Sequence, residues 1–330
     1  MTSLFCHVLA QKRIFNNVWR ARRFLADSTA SKPPASPSTP SSTPPSSAPP
    51  PSSAAPPTVA TPPKPHSQIV DVHCEGMIVK IIPARANNYM YLVKDKQTGC
   101  AAIIDLSDNK VLFEVLKKEN LKLTYAFITH HHEDHSGGTV ELAAQCPDVK
   151  ICAGDERIKA VTHCVKNCEK LQVGKLTVHC MHTPCHTVGH YCYFVECGAG
   201  GPPALFTGDT LFQGGCGGFD EGTPEQMYSI VKRFLALPQE SRVFGGHENT
   251  ILNLRFAETV EPENSNITAR LAWAQKQREK HMPTPPSLLC QERLWNPFMR
   301  VDHPDVQHYT GDTDPIYATF CLRKQRDAFK

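Results

Sequence analysis

The sequence has no apolar run approaching 18 residues, the length that a membrane-spanning helix requires, and it therefore predicts a chain without a membrane span. It contains no CxxC pair, and its 14 cysteines do not form the closely spaced framework of a small secreted domain. We therefore expect most of them to be free thiols in a reducing compartment. The net charge is only +3, and residues 1–26 alone contribute +5, so the remaining chain is slightly acidic. This distribution argues against a nucleic-acid-binding face on the folded part.

Residues 1–31 have the composition of a targeting segment. Five basic residues and no acidic residue precede Asp27, and the apolar residues are spaced so that a helix would separate them from the basic ones. This pattern is typical of a mitochondrial presequence, whereas the basic residues interrupt the apolar core that a secretory signal needs. We therefore predict a mitochondrial targeting segment at 1–31 and a location in the mitochondrial matrix, with a basic tail on a cytoplasmic protein as the alternative.

A proline- and serine-rich linker is predicted at 32–68. Fourteen of the chain's 28 prolines lie between residues 32 and 65, mixed with Ser, Thr and Ala. Proline removes backbone donors and the small side chains offer little apolar surface to bury, so this segment is not expected to form a packed core. The folded part is therefore expected to begin near Ile69.

Strand and helix patterns alternate in the folded part as far as residue 245. The first three apolar segments are separated by turn sequences and predict an antiparallel meander at 76–83, 89–93 and 101–105. Helical spacing then dominates, with apolar residues between 254 and 274 on one face. The predicted fold class is α/β, with one domain at 69–252 and a smaller helical domain at 253–330.

The strongest chemical signal is Thr129-His-His-His-Glu-Asp-His135, directly after an apolar strand pattern. Four imidazoles and two carboxylates lie within seven residues, and these groups are suitable ligands for zinc or iron. Alternate residues of an extended segment point the same way, so His130 and His132 can share one metal ion. Asp134 and His135, turning into the next helix pattern, can face a second one. A surface histidine tract with adventitious metal affinity is the alternative interpretation.

Three further motifs place a metal-binding side chain after an apolar strand pattern. His186, Asp209 and His247 each occupy such a position, beside glycine or another small residue that lets the backbone approach a metal closely. A single histidine at a strand end is usually a satisfied polar residue. Four such motifs in one chain indicate instead a common metal centre.

The motifs THHHEDH, TPCHTVGH, FTGDTLF and GGHE resemble those of the metallo-β-lactamase fold superfamily. The segments CGGFDEGT, VEPEN, WNPFMRV and RDAFK are similar to those of its glyoxalase II branch, the hydroxyacylglutathione hydrolases. The resemblance covers about residues 76–330. It implies an αββα sandwich followed by a smaller helical domain.

The resemblance also implies two divalent metal ions. We expect zinc, with iron or manganese as alternatives. Three histidines would hold the first ion: His130, His132 and His186. An aspartate and two histidines would hold the second: Asp134, His135 and His247. Asp209 would bridge the two ions, and Asp134 and Asp209 are the expected catalytic residues. His131 is expected to point away from the metals, and His190 to pack behind them.

Two adjacent cations suit the hydrolysis of a small-molecule thioester. Ions about 3.5–4 Å apart can lower the pKa of a shared water enough to provide hydroxide at neutral pH. The thiolate leaves readily because thiols ionise near pH 8.5. The resemblance to the hydroxyacylglutathione hydrolases implies an S-(2-hydroxyacyl)glutathione, such as S-lactoylglutathione, as the substrate. Cys185 and Cys216 lie near these motifs and are interpreted as structural neighbours rather than nucleophiles.

The predicted substrate-binding positions depart from the glyoxalase II pattern. The family uses a Lys and a Tyr in the loop where this chain has Gly218 and Asp220, and a second Tyr where it has Asn249. Two basic residues near the C-terminus match in position and charge, namely Arg323 and Arg326. The tail cations that could bind carboxylates are therefore present, whereas the loop contacts are missing.

Two alternatives follow from this departure. The chain could be a hydrolase of the same fold that acts on a different acyl-thioester or ester. It could also be a non-catalytic metal-binding paralogue, although seven intact ligand positions argue against that interpretation. A mononuclear iron persulfide dioxygenase is a more distant alternative, and the helical tail with its NPFMRV segment argues against it.

Overall fold

The computed structural model describes residues 65–198 and 200–330, so the predicted targeting segment and residues 32–64 of the predicted linker lie outside the described residues. Two large β-sheets form the centre of the described part. The first has seven strands in sequential order; its first four are antiparallel neighbours and its last four are parallel neighbours. Its strands are β1 (Val70–His73), β2 (Met77–Ala84), β3 (Asn88–Asp95), β4 (Cys100–Ile104), β5 (Lys122–Phe127), β6 (Lys150–Ala153) and β7 (His163–Cys164).

The second sheet has six strands in the order β15-β14-β11-β10-β9-β8. All its neighbours are antiparallel except β11 and β14, which are parallel. A short hairpin of β12 (Leu211–Phe212) and β13 (Gly215–Cys216) lies between β11 and the following helix in sequence. The strands of the sheet are β8 (Lys170–Val173), β9 (Leu176–His182), β10 (Tyr191–Cys197), β11 (Ala204–Gly208), β14 (Arg242–Gly245) and β15 (Ser287–Leu288).

Helices pack on the outer face of each sheet. One apolar cluster joins α1 and α3 to the first sheet, and another joins α4, α5 and α9 to the second. The helices are α1 (Asn109–Glu119), α2 (Glu133–Ser136), α3 (Thr139–Gln145), α4 (Pro224–Leu235), α5 (Thr250–Val260), α6 (Ser265–Glu279), α7 (Leu289–Trp295), α8 (Pro304–Thr310) and α9 (Pro315–Ala328), with a 3-10 turn at Pro297–Met299. Across the described ranges, no helix combines the length and apolar character needed to cross a membrane.

A central core fills the space between the two sheets. Phe127 of the first sheet packs against Tyr193 of the second, with ring centroids 5.0 Å apart. Phe206 and Phe244 stack beside them at the same separation, and all four side chains are fully buried. The layers are therefore helices, sheet, sheet and helices. This confirms the predicted α/β class and the αββα sandwich that the resemblance implies.

Local sequence signals explain where the main helices begin. Asp108 precedes α1, and its carboxylate accepts a hydrogen bond from the backbone N–H of Val111. Thr223 and Gln226 form a capping box at the start of α4, with Pro224 in the first turn. The predicted meander at 76–105 corresponds to β2, β3 and β4.

The apolar residues between 254 and 274 do not form one continuous helix face, contrary to the sequence interpretation. Helix α5 ends at Val260, because Pro262 lacks the backbone N–H that a continuing helix would use. Asn264 then caps α6 by accepting a hydrogen bond from the backbone N–H of Asn266. Phe256 packs on the second sheet, whereas other residues of this set form a separate cluster of Leu254, Ile267, Leu271 and Ala274.

Candidate metal centre and substrate cavity

Loops at strand ends bring all seven predicted ligands to one place. The loop after β5 carries His130 and His132, and the short helix α2 that follows it carries Asp134 and His135. The loops after β9, β11 and β14 carry one predicted ligand each. The ligand atoms form overlapping groups whose members lie within 4.8 Å of one another. The predicted ligands are His130, His132, Asp134, His135, His186, Asp209 and His247.

The first group consists of three histidines. The Nδ1 atom of His132 lies 3.1 Å from the Nε2 atom of His130 and 3.1 Å from the Nε2 atom of His186. Both Nε2 atoms are acceptors here, because the Nδ1–H of His186 donates to the carbonyl of Gly218 (3.0 Å) and that of His130 donates to the hydroxyl of Thr129 (3.0 Å). One proton on His132 cannot satisfy both lone pairs, whereas a cation between the three rings can.

The second group consists of an aspartate and two histidines. The Nε2 atoms of His135 and His247 lie 3.1 Å apart, and Oδ2 of Asp134 lies 3.5 Å and 3.4 Å from them. The other nitrogen of each ring faces an oxygen acceptor: Asp105 for His135 (2.8 Å) and Asn87 for His247 (3.2 Å). Two facing lone pairs and a carboxylate require a positive charge between them, which fits a divalent cation.

Asp209 lies between the two groups. Its Oδ1 is 3.3 Å from Nε2 of His135, and its Oδ2 is 3.7 Å from Nε2 of His186 and 3.2 Å from that of His247. The residue is 8% exposed, yet Oδ1 has no hydrogen-bond partner. A buried, unpartnered carboxylate oxygen costs free energy unless it faces a cation. The described side chains therefore form a dinuclear metal site.

The pKa values of the predicted ligands are shifted by burial and by the charges of neighbouring ligands. Burial lowers the pKa of His130 well below its usual value, with the neighbouring His135 as the next cause. Burial alone would also lower the pKa of His135, but the carboxylates of Asp209 and Asp105 outweigh it and raise that pKa to about 9. Burial would raise the pKa of Asp209, but the imidazoles of His135 and His247 hold it well below its usual range. Asp209 is therefore anionic, as a metal ligand must be, whereas His135 carries a proton among these carboxylates that it would lose when a metal ion binds.

Asp105 is a functional residue that the sequence interpretation missed. It directly follows β4, has a left-handed backbone conformation (φ 56°) and is buried. Its carboxylate accepts hydrogen bonds from the backbone N–H of Thr129 (2.8 Å), from the Thr129 hydroxyl (2.9 Å) and from His135. The Thr129 hydroxyl in turn accepts from His130. Asp105 thus orients one histidine of each group, and its only sequence signal was a carboxylate after an apolar strand, as at Asp209.

Two other histidines of the motifs lie outside the three groups. Nδ1 of His131 faces Asp155 at 3.7 Å, so this side chain points away from the metal groups, as expected. His190 is buried and stacks on His130 with ring centroids 5.1 Å apart. Its Nε2 accepts a hydrogen bond from the backbone N–H of Asp209 (3.3 Å), so it packs behind the site, as expected.

A cavity of about 270 Å³ opens beside the second group. Asp209 and His247 line one part of it. The predicted substrate-binding positions in its lining are Gly218, Asn249, Arg323 and Arg326. Asp220 is not among the lining residues; it lies near the rim of the first group, 3.5 Å from Nδ1 of His186, with its side chain 53% exposed.

The two arginines of the cavity differ in how much of their guanidinium is available. Arg323 donates to the carbonyls of Cys216 (2.8 Å) and Gly217 (3.2 Å) and pairs with Asp327 (2.6 Å). Within residues 65–198 and 200–330, Arg326 donates only to the side-chain oxygen of Asn253, through Nε and Nη2. Arg323 therefore holds the loop wall, and Arg326 is the better placed cation for a substrate carboxylate.

Comparison with known proteins gives the family. A family model described as "Hydroxyacylglutathione hydrolase C-terminus" matches residues 248–329, and one described as "Metallo-beta-lactamase superfamily" matches residues 85–163. A hydroxyacylglutathione hydrolase-like protein of Gallus gallus is 48% identical over 77% of this chain and 91% of its own length. The chain belongs to the hydroxyacylglutathione hydrolase family. The resemblance noted in its motifs is thereby confirmed, and the protein is a metal-dependent hydrolase.

Other relatives named hydroxyacylglutathione hydrolase agree with this assignment, and one solved structure shows the same fold. The Arabidopsis thaliana protein named hydroxyacylglutathione hydrolase cytoplasmic is 43% identical over 76% of this chain and 98% of its own length. The hydroxyacylglutathione hydrolase of Alkalilimnicola ehrlichii is 39% identical over 74% and 97%. A metallo-β-lactamase from Staphylococcus aureus superimposes with a TM-score of 0.53 at 21% identity, covering 76% of this chain and 73% of that chain, which shows the shared fold.

Proposed function

We propose that this protein hydrolyses S-(2-hydroxyacyl)glutathione thioesters, such as S-lactoylglutathione, to a 2-hydroxy acid and glutathione. The observation that carries the proposal is the convergence of the seven predicted ligands beside a cavity whose lining includes Asp209, His247 and Arg326. The names of the relatives support the choice of substrate. The proposal divides the folded part into a catalytic domain at 69–252 and a helical substrate-binding domain at 253–330.

We propose zinc in both metal sites, with iron or manganese as alternatives. The donor set contains imidazole nitrogens and carboxylate oxygens and no thiolate, and all three metals accept such mixed shells. In the proposed assignment the ligands are those named above, with Asp209 shared between the ions. When bound, two such ions lower the pKa of a water from 15.7 to about 7 and polarise a carbonyl oxygen.

The chain's own residues hold and orient the reactants. Asp209 and Asp134 keep the site anionic and fixed, and Asn88 donates a hydrogen bond to Oδ2 of Asp134 (2.8 Å). Arg326 would pair with a carboxylate of the glutathione moiety. Cys216 lines the cavity, but burial raises the pKa of its thiol to about 11, so it is protonated at neutral pH and is a poor nucleophile.

A hydrolase for another acyl-thioester is the second candidate. It is favoured by one observation: Gly218 and Asn249 line the cavity without offering a cation or a phenol, and the carboxylate of Asp220 lies nearby. An acyl group on a carrier with fewer carboxylates than glutathione would suit a cavity with one available guanidinium.

Purified full-length protein tests the proposal. We expect it to bind two metal ions and to consume S-lactoylglutathione, measured as loss of thioester absorbance and release of free thiol. Asp209→Asn should keep the fold and lose turnover by more than the ~100-fold typical of outer-shell substitutions. Two bound ions with turnover of other thioesters only would support the second candidate. No turnover of any thioester would support a non-catalytic metal-binding protein.

The proposed location is the mitochondrial matrix, on the composition of residues 1–31. The full chain and a chain that begins at residue 32, each fused at its C-terminus to a fluorescent protein, should then differ in location. Import of the full chain alone would support the proposal, and cytoplasmic fluorescence from both would contradict it.

A further inference from the structure

Three residues that precede β1 make specific contacts with the fold. We call His66–Gln68 the arm. Ser67 is 5% exposed, although it lies next to the proline-rich part of the sequence. The arm contacts the C-terminal end of α6 and the start of β3. A segment that served only as a spacer would not need buried polar contacts of this kind.

Arg278 of α6 holds the arm on one side. Its Nη1 donates to the hydroxyl of Ser67 (2.6 Å) and to the carbonyl of Met282 (2.7 Å), and its Nη2 donates to the carbonyl of His66. The backbone N–H of Gln68 donates to the carbonyl of His281 (2.8 Å). These contacts fix the arm to the end of α6 and do not themselves reach the metal groups.

A directed chain of hydrogen bonds runs from the arm to the residue after His247. The Tyr89 hydroxyl donates its only proton to Oε2 of Glu248 (2.6 Å), which leaves its oxygen as an acceptor for Ser67 (3.0 Å). The Ser67 proton is shared between this oxygen and Nδ1 of His66 (3.0 Å). Ser67 in turn accepts from Arg278. Glu248 also accepts from the backbone N–H and the hydroxyl of Thr284. Each donor in such a chain polarises the next, and the chain fixes Glu248 and the backbone of the loop that carries His247.

A second path leads from the arm to Asp134. Nε2 of His66 lies 2.9 Å from the carbonyl of Asn88. The side-chain amide of Asn88 donates to Oδ2 of Asp134 (2.8 Å) and to its carbonyl (3.2 Å). The backbones of Asn88 and His247 also form an isolated antiparallel bridge. Both paths therefore end on the group of Asp134, His135 and His247.

The group of His130, His132 and His186 is supported by other residues. Its outer hydrogen bonds go to Thr129 and to the carbonyl of Gly218, and none of the described hydrogen bonds joins these three histidines to the arm. The arm is therefore connected by hydrogen bonds to the group of Asp134, His135 and His247 and not to the group of three histidines.

We propose that the arm is a positioning element for the Asp134–His135–His247 half of the metal site. This inference rests on the metal assignment made under the proposed function. Disturbing the arm displaces Asn88 and Glu248 and loosens the ion held by that half, while the ion held by the three histidines is retained. Ser67, Tyr89 and His66 are positioning residues, since each acts through a residue that contacts a ligand or its loop.

Stepwise metal removal from the full-length protein tests this inference. Zinc is titrated out with chelators of graded affinity from the wild type, Ser67→Ala, Tyr89→Phe and the control Gln68→Ala. Ser67→Ala and Tyr89→Phe each remove one hydroxyl and break the chain. Gln68 is a matched control because its side chain donates only to the carbonyl of Lys280 (3.1 Å) at the surface. Thermal unfolding of each metal-loaded variant is measured in parallel.

We expect Ser67→Ala and Tyr89→Phe to raise one of the two zinc dissociation constants about 10-fold and to leave the other within two-fold of the wild-type value. A 10-fold change is the lower end of the range for substitutions of residues that contact metal ligands. Gln68→Ala should match the wild type in both constants. Equal weakening of both ions, together with a lower unfolding temperature, would show a merely structural arm and overturn the inference, as would two unchanged constants. A wild type that binds fewer than two ions would contradict the proposed function itself, and this inference with it.

Discussion

The Nδ1 atom of His135 lies 2.8 Å from the Oδ2 atom of Asp105, a carboxylate that also accepts two hydrogen bonds from Thr129. Because the Thr129 hydroxyl then accepts from His130, a single carboxylate sets the tautomer of one histidine in each metal group. The two halves of the site are thus coupled through Asp105 as well as through Asp209.

Replacing Asp105 should weaken both metal ions. Asparagine is the appropriate substitution, because it tolerates the left-handed backbone at this position and retains one acceptor oxygen. We expect Asp105→Asn to lower the affinity for each zinc ion by about 10- to 100-fold, measured by chelator competition. This differs from the arm variants, which should affect one ion. Loss of only one ion in Asp105→Asn would contradict the shared role.

Removing the cation of Arg326 should raise KM for a glutathione thioester and leave kcat nearly unchanged. One charge-assisted hydrogen bond is worth about 1.5–3 kcal/mol, which corresponds to roughly a 10- to 100-fold rise in KM for Arg326→Met. Lys324→Met is the matched control, because Lys324 lies on the same helix, carries the same charge and is exposed away from the cavity. Equal effects of both substitutions would indicate long-range electrostatics instead of a contact.

Restoring the family's loop residues should improve binding of glutathione thioesters. A side chain at Gly218 would place its Cβ 2.5 Å from Oδ1 of Asp220, so Gly218→Lys should be combined with Asp220→Tyr. With Asn249→Tyr added, we expect KM for S-lactoylglutathione to fall at least 10-fold, since each restored charge-assisted bond contributes about 1.5–3 kcal/mol. An unchanged KM would show that these positions do not contact the thiol carrier.

Acidic pH should weaken the hydrogen bonds that join Glu221 to Arg157 and to Val188 in the loop that follows His186. The hydrogen bonds from Arg157, followed by that from the backbone N–H of Val188, lower the pKa of Glu221 from 4.5 to about 2. Because the folded state prefers the ionised form, this contribution is complete above pH 4.5 and is lost as the pH falls toward 2.

Glu221→Gln is the variant that tests this contribution. It should unfold at a lower temperature than the wild type at pH 7, and the difference should shrink as the pH falls toward 2. A difference that is the same at every pH would exclude the ionised carboxylate as its source.

The sequence was sufficient for the parts of the site that depend on local patterns. Strands predicted at 76–83, 89–93 and 101–105 match β2, β3 and β4 closely, and the ligands that follow β5 and β9 lie where the strand-end motifs indicated. Long apolar strands and clustered imidazoles are strong local signals. These signals need no knowledge of which segments meet in space.

Long-range contacts explain what the sequence could not show. Asn87 and Asn88 lie in the turn sequence between the strands predicted at 76–83 and 89–93, yet Asn87 contacts His247 and Asn88 contacts Asp134, both far away along the chain. The short strands β12, β13 and β15 have two residues each and carry no periodicity to detect. Arg323 matched a substrate-binding position by charge, but its guanidinium is largely occupied by loop carbonyls and Asp327.

The burial of Ser67 sets a limit on maturation of the chain. If a presequence is removed during import, cleavage before Pro65 preserves the Ser67 hydroxyl, which is hydrogen-bonded to Tyr89 and through it to Glu248. A protease that trims as far as Ile69 deletes that hydroxyl while sparing every strand of both sheets. Two processed forms differing by only a few N-terminal residues would then share one fold and differ in how firmly they retain metal.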